Sequence, residues 1–426
     1  MNFQSSTWGD HLLHPEGLVG ELADQITRTA IRPQPKFSLA GALTTCASLL
    51  GRGVKDVSGQ YTNLYAFILG YSNGGKDHPA KYPLQIFDLL KRGKVVGGRQ
   101  CSDSALEILL HDFPIRHLML DEIGHYFGSL KSAGQQNPHL KTVLPALTEL
   151  WSVPVRDGTY IGKNRAKDNG GNWKPPVKIA TPVVSVYATG SPDRLFESMT
   201  FDDLADGSIT RYLCFSSFAF PSRDVKPAAP FPTDLLQRIS DALDKLGLGA
   251  EKYEGNSIAP TARTVPEDKD AHDLFETFGE LTDEYLQKAA EGDAPFYLYG
   301  KAVENARRVA LIVECLRNPD NPCIGQYAAN YAIELVTHSV CDMIKGVRAN
   351  VANSIRERES KNIENVIRRA GKNGIEQSSI TMQTRGIDPR ERKSILLDLI
   401  EAGIIREYQK EGKGRKRITC YAYVPQ

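Results

Sequence analysis

The stretch TNLYAFILGYSNGGKD, residues 62–77, decides the reading of this chain. Its first half, Leu64 to Leu69, is an apolar run of strand length, the pattern of a parallel strand buried on both faces. Its second half, Gly70-Tyr71-Ser72-Asn73-Gly74-Gly75-Lys76-Asp77, carries the G-x-x-x-x-G-K core of a Walker A loop. The glycines let successive backbone N–H groups converge on a phosphate, and a helix expected to follow at once, through about Lys91, adds the positive end of its dipole. Lys76 reaches the β- and γ-phosphates in such a loop. Gly70, Asn73, Gly74, Gly75, Lys76 and Asp77 are therefore the candidate ATP-binding residues. Asp77 stands where Ser or Thr ordinarily ligates Mg²⁺; a carboxylate is also a hard oxygen ligand, but it sets negative charge beside the phosphates. The competing reading is a glycine-rich turn that only joins strand to helix.

Downstream, Arg116-His117-Leu118-Met119-Leu120-Asp121-Glu122 is an apolar strand ending in adjacent carboxylates. In a Walker B pairing Asp121 holds Mg²⁺, together with Asp77, and Glu122 polarises the water that attacks the γ-phosphate. A third apolar run, Val183 to Tyr187, ends in Ala188-Thr189-Gly190-Ser191-Pro192. Thr189 or Ser191 is a candidate γ-phosphate sensor at a carboxyl strand end, and Ser191 reads equally as a helix cap before Pro192. Arg211, at the head of the run Tyr212 to Phe215, reads either as an arginine finger presented to a neighbouring subunit or as a local salt-bridge partner.

Around these motifs strand-like and helical segments alternate, the signature of a parallel α/β sheet. At 426 residues the chain has room for two or three domains, and its 41% hydrophobic and 24% charged content is that of a folded protein. The division expected is a helical collar over 1–60, a P-loop ATPase core of RecA/AAA+-like type over 61–220, a proline-rich linker over 221–265, an all-helical domain over 266–358 and a winged helix-turn-helix over 359–426. Seven scattered cysteines without a C-x-x-C pair argue against disulfides or structural zinc. With no leader-like amino terminus and no long apolar run, a cytoplasmic protein that does not enter a membrane is expected.

The formal net charge of +1 neither favours nor excludes an anionic partner, but its distribution is uneven. Residues 361–426 hold 14 Lys and Arg against 8 Asp and Glu, which places a basic surface on the last segment.

Taken in order, PEGLVGELADQI (15–26), RPQPKFSLAGAL (32–43), the Walker A stretch, LMLDEIGHYF (118–127), VSVYATGSPDRLF (184–196) and DGSITRYL (206–213) resemble the P-loop ATPases that phages and plasmids encode beside or fused to primases. The resemblance spans about residues 14 to 345. It implies a replicative-helicase-like ATPase that forms a homo-oligomeric, hexameric ring and uses ATP and Mg²⁺, with a separate primase as a candidate partner. It places the Walker lysine on Lys76, the Walker B acids on Asp121 and Glu122, and the arginine before the last strand on Arg211. The alternative function is an ATP-switched replication initiator or helicase loader with little unwinding activity, which Asp77 favours.

Two basic regions are candidate DNA contacts. The segment between Trp151 and Ala180 carries Lys163, Arg165, Lys167 and Lys174, with Tyr160 and Trp173 available to stack on bases; helicases of related architecture insert a hairpin at this point of the chain into a channel holding single-stranded DNA. A surface loop is the alternative. In the last segment Arg390, Arg392 and Lys393 on a recognition helix, with Arg415, Lys416 and Arg417 in a wing, would contact duplex DNA. Arg307 and Arg308 could supply a second sensor or lie on an exposed helix surface.

Overall fold

The computed structural model describes residues 8–98, 102–132, 142–163, 175–225, 227, 229–248, 261–351, 355–371, 374–411 and 417–424. They form two compact units, one of residues 1–198 with 202–344, the other of 199–201 with 345–426.

The first unit is mixed α/β around a five-stranded, all-parallel sheet. Its spatial order is Val96–Gly97, Ile115–Leu120, Val183–Gly190, Tyr65–Gly70, Tyr212–Ser217. Every residue of Tyr65–Gly70 and of Val183–Gly190 is buried, because helices cover both faces of a parallel sheet and leave no solvated side for polar alternation. Register sets Tyr65 opposite both Val186 and Tyr212, so the strand that opens the glycine-rich loop is paired along both edges.

One covering helix is Pro35–Leu50. Pro35 occupies its first turn, where a missing N–H costs nothing, and Gly51 ends it at φ +46. Nearly all its residues are buried, since it lies between the sheet and the helices Leu18–Thr29 and Ala302–Arg317. An amphipathic stripe is therefore missing from its sequence.

The helix Ala302–Arg317 is tied to the amino-terminal end of the sheet by Arg308. This fully buried guanidinium donates to Gln60 Oε1 at 3.1 and 3.0 Å and to the carbonyls of Asn63 and Trp151 at 2.9 Å each. It also lies 3.5 Å above the Trp151 ring. Desolvation pushes its pKa down to about 9, against the pull of Glu304, Tyr65 and Asp56. Arg307 beside it binds Glu267 at 2.7 Å and Asp56 at 3.5 Å. Both arginines are thus committed to packing and are neither sensors nor surface residues.

The proline-rich segment after Phe220 does not continue as an irregular linker through 265. A 13-residue helix, Thr233–Lys245, rises within it. It buries Leu235, Ile239, Ala242 and Leu243, and Arg238 pairs with Glu21 of the helix Leu18–Thr29. The prolines end at Pro232, and the apolar spacing after that point is helical.

The second unit has the helices Ile355–Arg369, Gln377–Gln383 and Pro389–Glu401 and a three-stranded antiparallel sheet ordered Ile375–Glu376, Arg417–Tyr423, Ile405–Glu411. Ile363, Ile367, Ile380, Ile395, Leu399 and Ile405 meet in its core. Asp388 caps the helix Pro389–Glu401 by accepting from the N–H groups of Arg390 and Glu391. Among the described residues no helix is long and apolar enough to cross a membrane.

His117 stands in the middle of the buried strand Ile115–Leu120, its Nδ1 3.0 Å from Ser48 Oγ. Burial depresses its pKa from 6.5 to about 4. The unfolded chain takes up a proton below pH 6.5 that the folded chain refuses until about pH 4. Stability should therefore fall as pH drops through that window, by on the order of 3 kcal/mol, and level off below it. Denaturant titrations should show a shallower slope in His117→Gln than in the wild type, the remainder coming from His78, whose pKa burial also lowers; an equal slope in both would remove His117 as a source.

Candidate phosphate-binding site

Three adjacent strands deliver the candidate residues to one edge of the sheet. Parallel pairing of Ile68 with Thr189 and of Leu120 with Ala188 brings the carboxyl ends of Tyr65–Gly70, Val183–Gly190 and Ile115–Leu120 together, the edge where open α/β sheets hold ligands. Thr189 Oγ1 donates to Asp121 Oδ1 at 2.6 Å, and the Glu122 N–H donates to the same oxygen at 2.8 Å. Glu122 itself adopts φ +51, a left-handed conformation that is uncommon for a non-glycine residue and collects at functional sites.

Lys76 is 4% exposed, while Asp77 and Glu122 beside it are exposed. Its Nζ lies 3.6 Å from Glu122 Oε1 and 3.9 Å from Asp77 Oδ1. A buried ammonium needs anionic company, and here that company comes from two carboxylates at the solvent boundary. Among the described residues no hydrogen bond takes up the backbone N–H of Ser72, Asn73, Gly75, Lys76 or Asp77. The loop thus joins a buried cation to five backbone donors that no described partner takes up, a combination suited to a polyanion.

The loop is braced from below by a residue whose role the sequence did not announce. Gln34 is buried between Pro33 and Pro35; its Nε2 donates to Gly74 O and Ala219 O, each at 3.0 Å, and its Oε1 accepts from Ser217 Oγ at 3.0 Å. Gly75 sits at φ +98, and a Cβ there would come within 2.6 Å of the Arg32 carbonyl, so only glycine fits. The Tyr187 hydroxyl donates to Lys76 O at 3.1 Å. Desolvation, and then the charge of Asp77, hold its pKa far above the ordinary range, so it remains a donor. The R-P-Q-P run announces a helix break; a polar residue caught between its two prolines was the available sign of this brace.

One expectation is corrected. The helix does not follow Lys76 directly but begins at Lys81. Residues 75–82 turn instead through the bonds His78 N–H to Gly75 O, Lys81 N–H to His78 O and Tyr82 N–H to Pro79 O. Pro79 disfavours helical backbone at His78, which keeps a helix from running through the loop. The N–H groups that flank Lys76 in the chain therefore belong to the loop and not to the first turn of a helix.

Ser191 is partly exposed and precedes the helix Pro192–Glu197; its carbonyl accepts from Leu195, and its side chain caps nothing. Arg211 is elsewhere. It precedes Tyr212, opposite Tyr65, at the amino end of strands whose carboxyl ends hold Lys76. A six-residue strand separates the two ends, about 20 Å at ordinary strand rise. Its guanidinium donates to Gly207 O and lies 5.5 Å from the centroid of Trp151, and desolvation lowers its pKa.

Of the basic segment, Arg165, Lys167, Trp173 and Lys174 lie outside the described residues. Thr159–Ile161 and Lys178–Ala180 pair antiparallel on either side of it. Lys163 is paired with Asp103. Tyr160 is buried and is thereby excluded from stacking on a base. In the second unit Arg390, Lys393 and Arg417 are exposed, and Arg415 and Lys416 lie outside the described residues. Arg392 is corrected: it is buried, and its Nη2 donates to the carbonyls of Thr384 and Ile387 at 2.8 and 2.7 Å, fastening the turn before its own helix.

No described group of three or more His, Cys, Asp or Glu side chains could hold a metal ion by itself. Mg²⁺ commonly takes one or two carboxylates and completes its sphere with water and phosphate oxygens, and Asp121, oriented by Thr189, fits that lesser demand. Comparison with models of known protein families gave no match, and a search of curated proteins gave none either.

Gln34→Leu strips the carbonyl of buried Gly74, the carbonyl of Ala219 and the half-buried Ser217 hydroxyl of their partner. It should cost about 2 kcal/mol of stability in denaturant unfolding. Amide exchange at Gly74, whose N–H donates to Tyr71 O, and at His78, whose N–H donates to Gly75 O, should also speed up. Unchanged exchange there would show that Gln34 does not brace the loop.

Proposed function

We propose that the chain is a P-loop ATPase, of RecA/AAA+-like type, that acts on DNA. One observation carries this reading: a buried Lys76 in a loop whose backbone donors are largely uncommitted, with Glu122 3.6 Å from its Nζ and a Thr189-held Asp121 at the same carboxyl edge of a parallel sheet. A triphosphate supplies the charge that Lys76 now shares with Glu122 and Asp77. Once Lys76 turns to the phosphates, Glu122 is released to orient the attacking water, and its placement at the end of a buried strand fixes that direction. Asp121 would hold Mg²⁺, whose charge would offset that developing on the phosphates. Arg211 is too far along the strand to serve its own subunit's nucleotide, so any finger role places it against a neighbour's, in keeping with a ring-forming homo-oligomer.

The resemblance to primase-associated ATPases of phages and plasmids makes a replicative helicase or translocase the preferred activity. The second unit, with three helices and an antiparallel hairpin, serves as a winged-helix DNA contact through Arg390, Lys393 and Arg417. A second reading, an ATP-switched initiator or loader, is favoured by one feature: exposed Asp77, 3.9 Å from Lys76 Nζ, adds negative charge where phosphates would sit. A DNA-stimulated ATPase assay combined with forked-duplex unwinding separates the two readings, since the switch turns over slowly and unwinds nothing.

Two predictions test the parts separately. Lys76→Ala should lose ATP affinity, whereas Glu122→Gln should keep it and lower kcat by about 10²-fold or more, because only water activation is removed. Normal turnover in Glu122→Gln would exclude Glu122 from the chemistry. In the second unit, Arg390→Glu with Lys393→Glu should weaken duplex binding and flatten its salt dependence by about two units of slope. Arg392→Met should lower thermal stability and leave the salt slope alone; a matching drop in slope would return Arg392 to the DNA surface.

A further inference from the structure

Large apolar side chains are exposed at few described positions, and two of them, Phe218 and Phe220, at 58% and 55%, follow directly on the strand Tyr212–Ser217 beside the glycine-rich loop. Tyr71, a residue of the loop itself, lies parallel to Phe220 with ring centroids 5.9 Å apart and edge-on to Phe218 at 5.8 Å. The Arg32 guanidinium is 5.7 Å from the Phe220 centroid and donates to Pro221 O at 2.6 Å. This group is fixed to the loop: Gln34 joins Ala219, between the two phenylalanines, to Gly74, and Arg32 O packs against Gly75.

Exposed aromatic faces carry a cost in water that a folded chain usually avoids, and a cluster of them beside a polyanion cradle fits a ligand with a charged end and a flat apolar end. A nucleoside triphosphate is such a ligand. We propose that Tyr71, Phe218, Phe220 and Arg32 form the nucleobase subsite of the nucleotide whose phosphates lie on Lys76, the base stacking on the phenylalanine faces with the guanidinium beside it. The inference rests on the nucleotide-binding reading above and extends it to the other end of the ligand. Because every base has a π-face, stacking of this kind tolerates a change of base. Selectivity should therefore follow ring size, with ATP and GTP held alike and better than CTP or UTP.

Calorimetric titration with ATP and with inorganic tripolyphosphate separates the two ends. The wild type should bind ATP more tightly than tripolyphosphate. Phe218→Ala with Phe220→Ala should weaken ATP about ten-fold and leave tripolyphosphate unchanged, and Phe220→Trp should preserve ATP binding. Lys76→Ala should lose both ligands. Unchanged ATP affinity in the double variant overturns the subsite, and so does an equal loss of both ligands, which would mean that the rings only shape the loop. A changed oligomeric state with ATP affinity intact overturns it in favour of a subunit interface. Tripolyphosphate bound as tightly as ATP by the wild type leaves the phosphate loop standing and removes the base subsite. Failure to bind either ligand removes both readings.

Discussion

Burial of the strand Tyr65–Gly70 on both faces and pairing along both edges is the constraint on which the rest of the first unit depends. A strand so enclosed has no lateral position for a charge, since an ionised group taken from water without a partner costs far more than packing returns. Polar chemistry is driven to its two ends. At the amino end stand Gln60, Asn63, Trp151 and Arg308; at the carboxyl end stand the glycine-rich loop, Asp121, Glu122 and Thr189.

The two ends resolve the same problem in opposite ways. Arg308 spends its donors on Gln60, Asn63 and Trp151, and a buried cation so fully engaged has nothing left for a ligand. Lys76, also buried, makes only two ion contacts among the described residues, both with exposed carboxylates, and the backbone N–H groups of its loop are largely uncommitted. Fully committed donors mark packing, and idle ones beside a buried cation mark a place that awaits a partner. That contrast, more than the presence of a lysine after two glycines, is what favours the proposed binding loop over a connecting turn.

The strands and their carboxyl-end residues were legible because a parallel sheet writes itself as uninterrupted apolar runs, each ending abruptly in polar residues. Thr189 and Asp121 meet because two such runs are neighbours, but which runs are neighbours is a matter of long-range order. Gln34 was opaque for the same reason: its partners are 40 and 185 residues away. The helix start at Lys81 was misplaced because the Walker pattern carries an expectation of its own, which local chemistry at His78-Pro79 overrides. Arg307 and Arg308 show the limit of reading charge as exposure. An arginine stem is apolar enough to enter a core when carbonyls are waiting at its head.

Net charge in the second unit has to be discounted in the same way. Arg392 is consumed by the carbonyls of Thr384 and Ile387. Arg356 binds Glu391 at 2.6 Å and Asp398 at 2.7 Å, which offsets half the charge of two acids on the helix Pro389–Glu401 that would otherwise repel a phosphate backbone. One arginine is therefore lost to the surface, while another, from outside the helix, screens its acidic residues. Arg390 and Lys393 remain exposed on the helix, and Arg417 at the start of the strand that follows the turn. A basic face of this kind is weaker than the tally of residues implies. It is better placed, because long-range attraction to phosphates depends on the sign of the local field rather than on the sum over the segment.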